Sequence, residues 1–249
     1  HKAIRRQRQM CIRDSKTVVM ADECADCPMA HMITADRIAE VRAEYENLAV
    51  VCYVNSTAEI KAVSDVCVTS SNAVKVVSNI PQKNIFFVPD NNLGRYVAEK
   101  LPEKHFIFHD GFCHVHKSIH AAELQAAKDA CPEALVLTHP ECTSDVVAMS
   151  DFVGSTSEII DFATQSDCKK FIICTEMGVF FELQQKNPDK KFYSVGHRQF
   201  CPNMKKVTID KVEQVLEKLG SGELEEITLS DEILTRAAKP LQRMLELAK

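Results

Sequence analysis

Three cysteines, Cys27, Cys113 and Cys201, stand 86 and 88 residues apart, and each follows an apolar run by a few residues (VVMADECADC, FIFHDGFC, FYSVGHRQFC). The offset of 86 recurs among polar residues at or near the ends of such runs: Tyr53 with His139, Asn55 with Glu141, Asp65 with Asp151, Thr69-Ser70 with Ser155-Thr156, and Asp90 with Glu176. Three thiolates with no fourth protein ligand suit a metal that keeps an open position. An iron–sulfur cluster with one non-cysteine iron is the first expectation, and a Cys₃ zinc site the second. Three unrelated core cysteines are the plain alternative, and they explain the spacing poorly. The hydroxyl pairs precede helical patterns, where free N–H groups favour an anion, although each pair also reads simply as an N-cap. His139-Pro-Glu141 places an imidazole and a carboxylate together for acid–base work. His114, His116 and His120 follow Cys113. An extended segment would turn His114 and His116 away from Cys113, so they are not expected to join it. His109 and Asp110 are read as solvated loop residues.

Positioning these groups falls to alternating elements. Strand-like runs cover Thr17–Ala21, Ala49–Val54, Asp65–Val68, Ile85–Val88, Phe106–Phe108, Ala134–Leu137, Phe152–Val153, Phe171–Cys174 and Phe192–Val195. Helical periods fill Thr34–Tyr45, Thr57–Val63, Asn72–Val77, Leu93–Leu101, Ser118–Ala130 and Met177–Gln185. Strand and helix in alternation predict parallel sheets of βαβ units, with ligands beyond the carboxyl ends of the strands. A repeat of this length is a small domain rather than a solenoid turn. The expected fold class is α/β: small three-layer α/β/α domains with parallel sheets, arranged about a pseudo-threefold axis, the first domain largely missing. The expected division is a remnant of a first domain over 16–27, a second domain over 28–113, a third over 114–201, and a C-terminal tail over 202–249. That tail should hold a strand at Glu226–Leu229 and a helix from Asp231. Residues 1–15 are basic, with Lys2, Arg5, Arg6, Arg8 and Arg13 against Asp14, and read as a cloning or gene-boundary scar rather than a flexible arm.

Composition narrows the function classes. The net charge of −5 over 249 residues gives no basic field for nucleic acid or an anionic membrane surface. The longest apolar runs are too short to span a bilayer. With 11 cysteines and no apolar leader, the chain is expected in the cytoplasm with its thiols reduced. Cys24 and Cys27 form a lone CxxC with no second pair, which excludes a zinc ribbon. Only 7 glycines argue against glycine-rich nucleotide loops.

At CPMA (27–30), YVNST (53–57), TSSNA (69–73), PDNNLGRYVAEK (89–100), GFCHVH (111–116), HPEC (139–142), VGSTS (153–157), TEMG (175–178) and CPNMKK (201–206), the chain closely resembles the quinolinate synthase family. The resemblance implies three pseudo-symmetric α/β domains around a central [4Fe–4S] cluster held by Cys27, Cys113 and Cys201. It implies a transferase that condenses iminoaspartate with dihydroxyacetone phosphate to quinolinate for NAD biosynthesis, with L-aspartate oxidase as a supplier of iminoaspartate. The motifs carry over Tyr53, Asn55, Ser70, His139, Glu141, Ser155 and Thr156 as substrate-binding residues, with Glu141 and Tyr53 as catalytic acid–base candidates. The family's first-domain residues have no counterpart in 1–15, so the resemblance also implies an N-terminally incomplete chain that is inactive alone. A non-catalytic cluster or redox-sensing protein is the alternative from another class, and a metal-free small-molecule binder a third. The cluster-only reading does not need YVN, HPE and two hydroxyl turns together, and iron and sulfide analysis separates the metal-free binder from the others.

Overall fold

A computed structural model describes residues 18–196 and 199–249. The basic segment 1–15 lies outside the described residues. The strands are β1 (Leu48–Tyr53), β2 (Val66–Val68), β3 (Asn84–Val88), β4 (His105–Phe108), β5 (Leu135–Thr138), β6 (Phe152–Val153), β7 (Lys170–Cys174) and β8 (Lys191–Ser194). The helices are α1 (Ala35–Glu44), α2 (Ala58–Ala62), α3 (Ala73–Ser78), α4 (Asn91–Lys100), α5 (His114–Lys117), α6 (Ala121–Ala130), α7 (Ser144–Ala148), α8 (Thr156–Gln165), α9 (Val179–Lys186), α10 (Ile209–Glu217) and α11 (Asp231–Leu247). Short 3₁₀ turns occupy Pro28–His31 and Met204–Lys206.

The architecture is α/β, with two four-stranded parallel sheets ordered β2-β1-β3-β4 and β6-β5-β7-β8. The offset of 86 holds at the level of single atoms. Asp65 Oδ2 accepts the Val50 N–H at 2.7 Å and Asp151 Oδ2 accepts the Val136 N–H at 2.7 Å, each carboxylate closing the turn into the edge strand. Lys104 Nζ donates to the carbonyls of Ile80 and Gln82, while Lys190 Nζ donates to those of Ala163, Thr164 and Ser166. Both lysines thus cap the carbonyl-rich end of a helix that precedes the third strand, where backbone acceptors have no helical partner.

Both faces of each sheet are covered, as a parallel sheet requires. All six residues of β1 are buried. In the second sheet Val136, Ile172 and Cys174 pack on one face with Leu124 and Val146, whereas Leu137, Phe171 and Ile173 pack on the other with Ile159 and Leu183. That alternation is the period of two expected of strands. Helix α11 starts at the N-cap Ser230, whose side chain accepts from the Ile233 N–H, and it packs on α2 and β2 through Ala237, Leu241 and Met244. The chain end therefore completes the first sheet's cover.

Several expectations need correction. Among the described residues, the runs 18–21 and 226–229 meet in one antiparallel bridge, Val19 with Glu226, and form no longer strand. Each has a single neighbour, so no ladder propagates. The helical reading of 118–130 is met by α6, which begins at Ala121, while α5, α7 and α10 were not foreseen. No described helix is long and apolar enough to cross a membrane.

Candidate active site

The chain turns beyond the carboxyl ends of the strands surround a cavity of about 400 Å³. Cys27, Cys113 and Cys201 all line it. Each cysteine opens a helical turn: the carbonyls of Cys27, Cys113 and Cys201 accept the N–H groups of Ala30, Lys117 and Lys205 at 2.9, 2.9 and 3.2 Å. Pro28 follows the first and Pro202 the third, a residue suited to the first helical position because it brings no N–H. The second presents its sulfur through GFC, where Gly111 is obligatory: a Cβ there would lie 2.2 Å from the Pro89 carbonyl oxygen. All three thiols are free of disulfides. Burial, reinforced by the Glu141 carboxylate, raises the Cys113 thiol well above its ordinary value, so a thiolate there calls for a cation beside it.

Behind the thiols runs a buried polar network that links the two sheets. Tyr53, the last residue of β1, donates its hydroxyl to Glu141 Oε1 at 2.6 Å. His116 Nδ1 lies 3.0 Å from Glu141 Oε2, and its Nε2 lies 2.9 Å from Thr175 Oγ1. A neutral His116 satisfies both contacts by donating from Nδ1 to the carboxylate and accepting the Thr175 hydroxyl at Nε2. The His139 ring stacks on His116 at 4.6 Å between centroids. Asn92 Nδ2 donates to the Glu141 carbonyl at 3.0 Å and fixes the turn from behind. Glu141 itself is fully buried, so Tyr53 and His116 reach its carboxylate without competition from water.

Asn55 supplies an open valence. It is 5% exposed, lines the cavity, and its Nδ2 is the one buried side-chain polar atom without a partner among the described residues. Such a group is costly unless a ligand accepts from it.

The sequence-predicted residues divide. Cys27, Cys113, Cys201, Asn55, His139, Glu141 and Thr156 line the cavity, and Tyr53 stands directly behind Glu141. Ser155 and Ser70 are not on the wall. Ser155 is the N-cap of α8 in a capping box with Glu158, so its side chain is already engaged. At TSSN, Asn72 Oδ1 accepts the Thr69 N–H at 2.7 Å and the Thr69 and Ser71 hydroxyls meet at 2.9 Å, which closes the turn on itself ahead of the short α3.

His116 and Thr175 were missed. The expected extended segment after Cys113 is helix α5, and three residues of helix bring His116 back beside the cysteine. Cys113, His116 and Glu141 place ligand atoms within 4.8 Å of one another, the one such group among the described residues. The i, i+3 spacing was the signal available. His109 is also not a solvated loop residue, since its Nε2 contacts the Met32 carbonyl at 2.7 Å.

Comparison with known proteins gives the family. The family described as "NadA: Quinolinate synthetase A protein" matches residues 7–246, which takes in residues 7–15 of the segment set aside above. The quinolinate synthase of Caldicellulosiruptor saccharolyticus is 47% identical over 233 residues, covering 94% of this chain and 76% of that protein. That of Fusobacterium nucleatum subsp. nucleatum is 47% identical over 237 residues (95% and 78%), and that of Clostridioides difficile 44% identical over 234 residues (94% and 76%). With the family matched over nearly the whole chain and relatives approaching half identity, this chain belongs to the quinolinate synthase family.

Proposed function

We propose that the chain condenses iminoaspartate with dihydroxyacetone phosphate to form quinolinate in NAD biosynthesis, releasing phosphate and water, around a [4Fe–4S] cluster held by Cys27, Cys113 and Cys201. The observation that carries this reading is the convergence of three thiols from distant loops on one cavity, beside a buried carboxylate that two side chains grip. The donor set fits a cluster better than a single ion. Of the three thiols only Cys113 belongs to a group of ligand atoms within 4.8 Å, whereas a cluster spreads its cysteines over different irons. When bound, it would supply a Lewis-acidic iron without a protein thiolate.

The chain's own residues do the rest. Glu141 is the base: its carboxylate is held by the Tyr53 hydroxyl and by His116, so its orientation is fixed before a substrate arrives. Asn55 Nδ2 donates to a substrate carboxylate or carbonyl oxygen, satisfying its otherwise unmet valence. Thr156, in the first turn of the ten-residue α8, offers a hydroxyl and helix N–H groups to an anion such as a carboxylate or phosphate. Burial of His139 and Glu141 keeps bulk water from these contacts.

The test is anaerobic reconstitution followed by incubation with iminoaspartate and dihydroxyacetone phosphate. It is run on this chain and on this chain joined to the quarter of a relative's length that it does not match. Quinolinate and phosphate appearing in equal amounts from either supports the reading. A protein that takes up the cluster yet forms no quinolinate in either form, with no spectral response to added quinolinate, contradicts it and favours a redox-sensing role.

A further inference from the structure

In both halves of the molecule a carboxylate two residues past the third strand reaches across to the loop that follows the fourth. Asp90 Oδ2 accepts the backbone N–H of Cys113 at 3.1 Å. Glu176 Oε1 accepts the backbone N–H of Cys201 at 3.3 Å. The second oxygen of each carboxylate holds the start of the following helical segment: Asp90 Oδ1 takes the Leu93 N–H at 2.7 Å, and Glu176 Oε2 takes the Gly178 N–H at 2.7 Å. One residue further on, the backbone repeats the staple, with the Asn91 N–H donating to the Gly111 carbonyl and the Met177 N–H to the Gln199 carbonyl, both at 2.8 Å. We propose that Asp90 and Glu176 are positioning residues for the cluster, each fixing the backbone of one cysteine ligand so that its sulfur faces the cavity.

The inference rests on the reading of Cys113 and Cys201 as cluster ligands, and three observations raise it above ordinary loop stapling. The two carboxylates are 86 residues apart, whereas the cysteines they hold are 88 apart. The two additional residues fall between β8 and Gln199, because Ser194 lies 86 beyond Phe108 while Gln199 lies 88 beyond Gly111. The stapled stretch from that carbonyl to the cysteine keeps its length in both copies. Both carboxyl groups are also buried, Asp90 completely, although a loop staple alone could be made at the surface without the cost of burying polar groups. Finally, Gly178 leaves room for the Glu176 side chain: a Cβ there would lie 2.6 Å from Glu176 Oε2. Outer groups of this kind hold ligands in register and commonly change metal affinity 10–100-fold when lost, on the order of a tenfold effect at the low end.

The experiment uses the full chain, reconstituted anaerobically, as wild type and as Asp90→Asn, Glu176→Gln and Gly178→Ala. Ser230→Ala serves as a control that removes the N-cap of α11, a residue that does not line the cavity. Iron and sulfide per chain, decay of the visible cluster absorbance under a fixed chelator challenge, reduction potential and thermal midpoint are read for each. The three site variants are expected to lose the cluster about tenfold faster than wild type. Glu176→Gln is expected to shift the potential positively because a negative charge has left the cluster's surroundings. Gly178→Ala retains the charge and displaces it, so it should show the lability even if Asp90→Asn folds poorly. Variants that lose thermal stability as Ser230→Ala does, while holding the cluster as long as wild type at unchanged potential, would overturn the proposal. A wild-type chain that takes up no iron and sulfide would instead overturn the cluster reading beneath it.

Discussion

The Tyr53 hydroxyl donates to Glu141 Oε1 at 2.6 Å, joining the end of the first strand of one sheet to the loop after the first strand of the other. Neither half of the molecule contains this hydrogen bond by itself. The acid–base group and the residue that orients it are contributed by equivalent positions of two repeats: Tyr53 is the counterpart of His139, and Asn55 of Glu141. Glu141→Gln is expected to keep the cluster and to lower quinolinate formation at least about a hundredfold, the scale of a lost acid–base group. Tyr53→Phe should lower it less, because His116 still grips the other oxygen. Steady-state assays with cluster content measured in parallel check both. Normal turnover of Glu141→Gln would make Glu141 a structural acceptor.

His116 carries a separate expectation. Replacing it with Phe keeps a ring against His139 but removes both polar contacts, the one with Glu141 Oε2 and the one with the Thr175 hydroxyl. Cluster-free His116→Phe should therefore unfold at lower urea, by about 1–3 kcal/mol for the lost buried contacts, and should also turn over slowly. A variant as stable and as active as wild type would remove His116 from the network.

Asn55 should show stability and function in opposition. Asn55→Leu removes the orphaned Nδ2 while keeping the branching and number of side-chain heavy atoms, and the open cavity beside it takes the larger methyls, so the cluster-free protein should gain on the order of 1 kcal/mol in urea unfolding. The same variant should bind quinolinate at least about tenfold more weakly, since the donor reserved for the ligand is gone. Loss of stability together with unchanged binding would mean that the amide serves the fold.

The half-buried Lys104 and the buried Lys190 belong to different sheets, so their effects should add. Lys190→Met leaves three carbonyls without their donor and is expected to cost about 2–4 kcal/mol, with Lys104→Met costing somewhat less for its two. The double variant should lose the sum within about 0.5 kcal/mol. Marked non-additivity in urea unfolding would show that the two sheets are energetically coupled through these ends.

Much of this arrangement was legible because the repeat copies chemistry as well as hydrophobicity. Asp65 and Asp151 could be paired by spacing because each performs one local task, closing the turn into an edge strand. The β5–β7 core was readable because parallel strands buried on both faces appear as continuous apolar runs. The misses have physical reasons. Four helical residues after Cys113 are too few to give a periodic signal, so His116 was turned the wrong way. Ser155 is a hydroxyl ahead of a helix, and sequence cannot separate a cap from an anion seat until the Glu158 side chain is seen closing the box. The run 18–21 is apolar enough for a strand, yet pairing needs a neighbour, and among the described residues it finds only Glu226.

The most direct measurement of the central claim is iron and acid-labile sulfide per chain after anaerobic reconstitution, for wild type, for Ser variants of Cys27, Cys113 and Cys201, and for Ser variants of Cys52, Cys131 and Cys168. Wild type and the last three should each hold one [4Fe–4S] cluster with its brown absorbance, and the first three should hold none. Equal loss from both sets, or a wild type without iron and sulfide, would contradict the assignment of Cys27, Cys113 and Cys201 as the ligands.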